Sequence, residues 1–293
     1  MQTIFDVEVP AGKNYDLAAF RLWIAEDAAP IRGVLVLMPG SQYDGRPWVT
    51  DPYWQSLARR HDFALMSSYF IDKPHPDMDI EYYVAVGQGS GQALLCALTA
   101  FGASTGRQEI GTAPLALWGF SAGGEFNYEF AAWDPRRVIA FVVNKGGIYY
   151  TALTSFETRR VPGILFTGEQ DSQFRINTIV GLFSLNRGPG ALWALAQEPG
   201  VGHEIGLTKQ MGGMFLDQMI PLRLPVDPVD GCGYPVLRPI DEAAGYIGNL
   251  TTLTYRPAAG VPVEPYPTAF LPTEEVARAW QSFCRGEPLS EMT

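Results

Sequence analysis

"PLALWGFSAGGEFNYEFAAW", residues 114–133, decides how this chain is expected to fold. Residues 114–120 form a nearly continuous apolar run, the composition of a strand covered on both faces. Residues 124–133 read as a helix. Between them Gly119-Phe120-Ser121-Ala122-Gly123 fits G-x-S-x-G, the pattern of a nucleophile elbow. A serine forced into a strained turn stands its hydroxyl at the top of a sheet. The following helix points its positive dipole end at any negative charge that develops there. The glycines are expected because side chains at those positions collide with neighbouring backbone.

Outward from the elbow, the same kind of run recurs at 33–38, 63–70, 138–144, 163–168 and 191–196. Two alternating stretches at the start, 5–9 and 17–25, predict an antiparallel sheet edge. Helical stretches at 52–61, 91–103, 124–133 and 173–185 fall between the strands. Alternation of this kind predicts an α/β fold, a doubly wound and mostly parallel sheet. The core spans about residues 14–220 of one domain. From residue 221 the sequence turns rich in Pro and Gly and predicts a loop-rich extension, closed by a helix at 273–286 that Thr273 caps.

A serine hydroxyl needs a base, and the chain has three histidines. His61 ends a predicted helix and suits a capping or surface role. His75 lies between prolines in a polar loop. His203 follows the last apolar strand, in a loop leading to the next helix, and loops after strand carboxyl ends line the crevice of such sheets. His203 is therefore the expected base. The carboxylate that orients it is expected between Ser121 and His203. Asp171, in a polar turn directly after the strand at 163–168, is favoured over Glu169, which lies nearer the strand end. The oxyanion donors are expected at the Ala122 N–H and in the turn Pro39-Gly40-Ser41-Gln42, first Ser41 and then Gln42.

Composition limits the rest. Net charge is −10, with 31 acidic and 21 basic residues and no basic run longer than two, which argues against nucleic acid as a partner. No stretch has the length of a membrane span. The N-terminus has no signal-peptide pattern, which favours a cytoplasmic chain over a mature secreted one without deciding between them. Cys96, Cys232 and Cys284 lack metal-site spacing. Cys96 reads as a buried helix thiol, and Cys232 and Cys284 are free to pair in an oxidising compartment. Asn249-Leu250-Thr251 is a formal glycosylation sequon read as accidental. The chemistry requires no metal and no cofactor, and oligomeric state is not written in the sequence.

Together "GFSAGG", "TGEQD", "GHE" and the Pro39-Gly40 turn resemble the α/β-hydrolase superfamily, over about residues 14–220. "GSGQALLCAL", "WGFSAGGEFNYEFAAWDPRRVIAFVVNKGG" and "TAFLPTEEVARAWQSF" resemble bacterial esterases related to polyhydroxybutyrate depolymerases. Two departures stand out: the oxyanion turn begins Met-Pro-Gly where relatives often have His-Gly, and Phe120 replaces a frequent His. The resemblance implies a serine esterase acting through an acyl-enzyme. Fewer than twenty residues separate the strand ending near Asn144 from the one starting at Gly163, too few for a lipase-like cap. That opening suits short-chain, aryl or polymeric esters. Aromatics crowd the predicted rim at Tyr43, Trp48, Tyr53, Trp54, Tyr69, Phe70, Tyr82, Tyr83, Tyr149 and Tyr150. Tyr43, Trp48, Tyr69, Tyr149 and Phe120 are the expected substrate contacts, although any one of them suits core packing as well. A peptidase or amidase would use the same groups, and a binding protein of this fold would lack one of them. A dienelactone-type hydrolase typically has Cys at the position of Ser121.

Overall fold

In the computed structural model of the chain, which describes residues 3–78, 80–224, 234, 236–260 and 268–289, the apolar run before Ser121 is strand β5 (Leu115–Phe120). Seven further strands join it: β1 (Ile4–Val9), β2 (Tyr15–Trp23), β3 (Gly33–Met38), β4 (Phe63–Asp72), β6 (Val138–Asn144), β7 (Gly163–Gly168) and β8 (Trp193–Glu198). Their order is β1-β2-β4-β3-β5-β6-β7-β8. β1, β2 and β4 pair antiparallel, and from β4 to β8 every neighbour is parallel. Every residue of β3, β6 and β7 is buried, which is why their sequences show no alternation. The chain leaves β3 in one direction to β4 and returns on its other side as β5. That reversal is the switch point at which doubly wound sheets bind ligands.

Helices cover both faces. α1 (Pro52–Arg60), α6 (Thr208–Arg223) and α7 (Glu274–Cys284) lie on one; α2 (Ser90–Thr105), α3 (Ala122–Trp133) and α5 (Gln173–Arg187) lie on the other, and α4 (Phe156–Arg159) is a single short turn. Alternate residues of β3 divide between the faces. Val34 and Val36 pack with Leu94, Phe101, Phe126 and Phe183, whereas Leu35 and Leu37 pack with Leu57, Met211, Phe215 and Trp280. α1 starts on Pro52, and the Asp51 side chain accepts the Tyr53 N–H. Thr273 caps α7 as expected, accepting the Val276 N–H.

Two expectations need correction. The described residues after 221 hold more regular structure than the composition suggests, because β9 (Tyr246–Asn249), β10 (Thr254–Pro257) and β11 (Thr268–Leu271) form a second, antiparallel sheet in the order β10-β9-β11. Strands of four residues are too short to show a period, and the Pro and Gly between them dominate the composition. Cys96 is exposed on α2, not buried, while Cys284 is a buried free thiol whose pKa burial pushes up to about 12. Cys232 lies outside the described residues. Asn249 closes a turn, its Oδ1 accepting the Thr251 and Thr252 N–H groups. Among the described residues no helix is long and apolar enough to cross a membrane.

Candidate active site

Ser121 sits at φ +53°, ψ −126°, between the end of β5 and the first residue of α3. This left-handed backbone is rare for a non-glycine residue and is held by its surroundings. Its N–H donates to the Asn144 carbonyl at 2.8 Å, and its carbonyl accepts from Gly124 and Glu125. The flanking glycines are there for room. A Cβ on Gly119 would stand 2.2 Å from the Gly123 carbonyl oxygen, and one on Gly123 would stand 2.1 Å from that of Met38. The elbow is thus wedged between β3 and β5 at the switch point.

Two loops from the far side of β6 complete a line to Ser121. His203, after β8, brings Nε2 to 3.0 Å from Ser121 Oγ. Asp171, after β7, brings Oδ2 to 2.9 Å from His203 Nδ1. The Asp171 side chain is 3% exposed and the His203 side chain 31%, so the carboxylate is buried beneath a partly exposed imidazole. Asp171 Oδ1 accepts the Ser172 N–H at 2.7 Å, which fixes the carboxylate plane, and Arg175 Nη1 lies 3.9 Å away. Glu169 is turned elsewhere and accepts the Gly200 N–H. The other histidines are occupied: His61 ends α1 and meets Asp217 at 2.7 Å, and His75 Nδ1 accepts the N–H groups of Asp77 and Met78.

The turn after β3 abuts the nucleophile. A Cβ on Gly40 would touch Ser121 Cβ at 3.4 Å and Phe120 Cδ1 at 3.5 Å. Gln42 takes φ +57°, and the Tyr43 N–H closes the turn on the Gly40 carbonyl. Among the described residues, the N–H groups of Ser41, Gln42 and Ala122 have no protein acceptor. Ser41 and Gln42 also border a cavity of about 610 Å³ with Asp72, His75 and Glu81.

The expected contact residues separate into two groups. The Phe120 ring lies 5.1 Å from the His203 ring, and exposed Tyr43 lies 5.6 Å from half-buried Trp48, which rests on Trp118. Phe120 thus meets His203, while Tyr43 and Trp48 pack together beside the turn after β3. Tyr149 is turned inward: its ring packs edge-on against Tyr128 beside the core, and among the described residues its buried hydroxyl has no hydrogen-bond partner. Tyr69 lies beneath the Arg46 guanidinium, which is paired to Asp44. Of the wider aromatic set, Trp54, Phe70 and Tyr83 are buried core.

Solved structures share this arrangement of sheet and helices. The LpqC poly(3-hydroxybutyrate) depolymerase from Bordetella parapertussis superposes with a TM-score of 0.52 at 17% identity, covering 76% of this chain and 92% of its own. Esterase PE8 gives 0.52 at 18% identity, over 68% of this chain and 97% of its own. An esterase from Pyrobaculum calidifontis gives 0.52 at 13% identity, over 77% and 87%. The chain has an α/β-hydrolase fold. At these identities the likeness concerns the fold alone. No protein-family model matches the sequence, and no curated protein matches it.

Within the α/β-hydrolase fold, the position after β6 commonly carries a cap. Here the described chain between β6 and β7 holds only α4 and its flanking loops. A separate cavity of about 440 Å³, lined by Arg137, Arg160 and Arg223, lies at the amino ends of β6 and β7, the opposite end of the sheet from Ser121. Two buried charges near the site escaped the sequence reading. Glu125, one helical turn after Ser121, accepts the Gly147 and Ile148 N–H groups, and burial raises its pKa to about 7 against those two bonds. Lys145, directly after β6, is fully buried against Glu198. A carboxylate in the first turn of a mostly apolar helix, and a lysine directly after a buried, nearly all-apolar strand, were the available signals.

Proposed function

We propose that this chain is a serine esterase that hydrolyses carboxylic esters through an acyl-enzyme on Ser121. The observation that carries the reading is the continuous hydrogen-bonded line from Ser121 Oγ through His203 to the buried carboxylate of Asp171. With its proton on Nδ1, His203 donates to Asp171 and accepts the Ser121 proton at Nε2 as Oγ attacks the ester carbonyl. Asp171 holds that tautomer and stabilises the imidazolium that forms. The carbonyl oxygen becomes an oxyanion beside the Ala122 N–H at the α3 N-terminus and the Ser41–Gln42 turn. His203 then protonates the leaving alcohol. In the second half it takes a proton from water, which attacks the acyl carbon, and returns that proton to Ser121 Oγ as the acyl–oxygen bond breaks and the acid leaves.

Short-chain, aryl or polymeric esters suit the site. Phe120, Tyr43 and Trp48 supply flat apolar surface at its mouth, and no cap among the described residues closes over it. One of the similar structures is named as a poly(3-hydroxybutyrate) depolymerase, which puts hydroxyalkanoate oligomers among the substrates to try. The test is a p-nitrophenyl ester panel from acetate to octanoate, with the matching anilides beside it. Wild type is expected to turn over the short esters. Ser121→Ala is expected to lose a factor of about 10³ or more in kcat/KM. Equal rates in the two proteins, or turnover of anilides alone, would remove this assignment.

A further inference from the structure

The loop that carries His203 is held from beneath by two buried charges. Lys145 is fully buried, and its Nζ donates to Glu198 Oε2 at 2.6 Å and to the Glu204 carbonyl at 2.6 Å. Glu198, the last residue of β8, has a side chain 4% exposed, and its Oε1 accepts the Leu207 N–H at 2.6 Å. The pair therefore grips the loop twice: at the carbonyl of the residue after His203, and at an N–H three residues further on. The contact is close. Gly206 takes φ +55°, and a Cβ there would stand 2.3 Å from Glu198 Oε1. The loop lies directly on the carboxylate.

Lys145 also borders the nucleophile's support. Asn144, one residue before it, gives the carbonyl that receives the Ser121 N–H, and the Lys145 N–H donates to the Phe166 carbonyl of β7. Lys145 itself takes φ +56°, a left-handed conformation for a long side chain. Strain of this kind persists where surrounding contacts over-determine it. A buried ion pair contributes little net stability compared with well-packed apolar residues of similar volume. What an apolar pair lacks is a donor for the Glu204 carbonyl and an acceptor for the Leu207 N–H.

We propose that Lys145 is a positioning residue for His203, which fixes the imidazole against Ser121 by holding the Glu204 carbonyl, with Glu198 as its buried counter-charge. This rests on the reading of Ser121, His203 and Asp171 as a triad. Lys145 touches neither substrate nor reacting atoms, so its effect falls on the rate of chemistry and spares ester binding. A displacement of about 1 Å at a reacting group costs on the order of 10²-fold.

The experiment compares wild type, Ser121→Ala and the double variant Lys145→Met with Glu198→Gln, which removes both charges and orphans neither. kcat and KM are measured on a short p-nitrophenyl ester, with kcat expressed per site labelled by exhaustive fluorophosphonate reaction and counted by intact mass. The double variant is expected to lose about 10- to 100-fold in kcat per labelled site, with KM within about threefold of wild type. A merely structural pair would lower the labelled fraction and leave kcat per site unchanged. That result, with Ser121→Ala inactive, overturns the proposal and leaves the triad standing. Wild-type rates in Ser121→Ala would remove the triad and the proposal with it. Should the double variant not fold, Gly206→Ala lifts the same loop off Glu198 with both charges kept, and is read by the same ratio.

Discussion

Glu125 shows how a residue can be placed by a neighbour's needs. Its carboxyl receives two N–H groups from the loop after β6, and burial raises its pKa from an ordinary 4.5 to about 7. In the unfolded chain it titrates near its ordinary value. Between about pH 4.5 and 7 the folded protein keeps a proton that the unfolded chain has lost, so this group makes stability fall as pH rises through that window. A tenfold gain in proton affinity corresponds to about 1.4 kcal/mol, so the whole effect is on the order of 3 kcal/mol. Glu125→Gln keeps an acceptor for the loop and cannot ionise. Its melting temperature should therefore gain on wild type between pH 5 and pH 8 by several degrees; parallel curves would contradict the raised pKa. At this scale the proposed triad was legible because the chemistry left few choices: three histidines, and two carboxylates at the right place in chain order. Tyr149 was not, because nothing in "GGIYY" tells which of two adjacent tyrosines turns inward.

At the scale of elements, the elbow depends on two backbones passing within contact distance. Gly123→Ala drives a Cβ onto the Met38 carbonyl, and no rotamer can relieve a backbone collision. We expect a loss of about 1–3 kcal/mol in stability and at least about a hundredfold in ester turnover. Gly181→Ala, in the exposed middle of α5 with nothing near its Cβ position, is the matched control and should gain up to about 1 kcal/mol. Equal behaviour of the two variants, followed by melting and by turnover, would deny the close approach. The strands were readable here because both faces are covered, which makes each an unbroken apolar run, and the observed ends fall within two residues of those expected. The strands β9, β10 and β11 were hidden by their brevity. β9, "YIGN", owes its place to pairing on both sides with residues that follow it in the chain.

For the whole molecule, the C-terminal segment works as a brace on the sheet edge. Trp280, fully buried on α7, donates its indole N–H to the Leu195 carbonyl of β8 at 2.7 Å. Arg187, buried at the end of α5, pairs with Glu242 at 2.6 Å and donates to the Thr268 carbonyl. Trp280→Ala removes a large side chain and leaves a cavity, at a cost of about 3–5 kcal/mol, or roughly 10 °C in melting temperature for a chain of this size. kcat per labelled site should stay within about twofold, because the hydrogen bond Trp280 makes is to Leu195 of β8 and not to Ser121, His203 or Asp171. A matching fall in kcat per site would show that the brace shapes the site as well as supporting it.

The candidate site gathers one turn or loop from the end of each of β3, β5, β6, β7 and β8, and its hydroxyl and imidazole stand 82 residues apart in the chain. Parallel neighbours cannot pair until the crossover between them has been made, so none of these ends meets another by local folding. During synthesis or refolding, helices and hydrophobic collapse come first, and the hydrogen-bonded line through His203 comes only when β8 has docked. Until then the strands that read so clearly in the sequence lie uncovered, apolar on both faces and with open edges. Such intermediates are prone to self-association. The same apolar runs that make the fold readable are the stretches most in need of shelter while it forms.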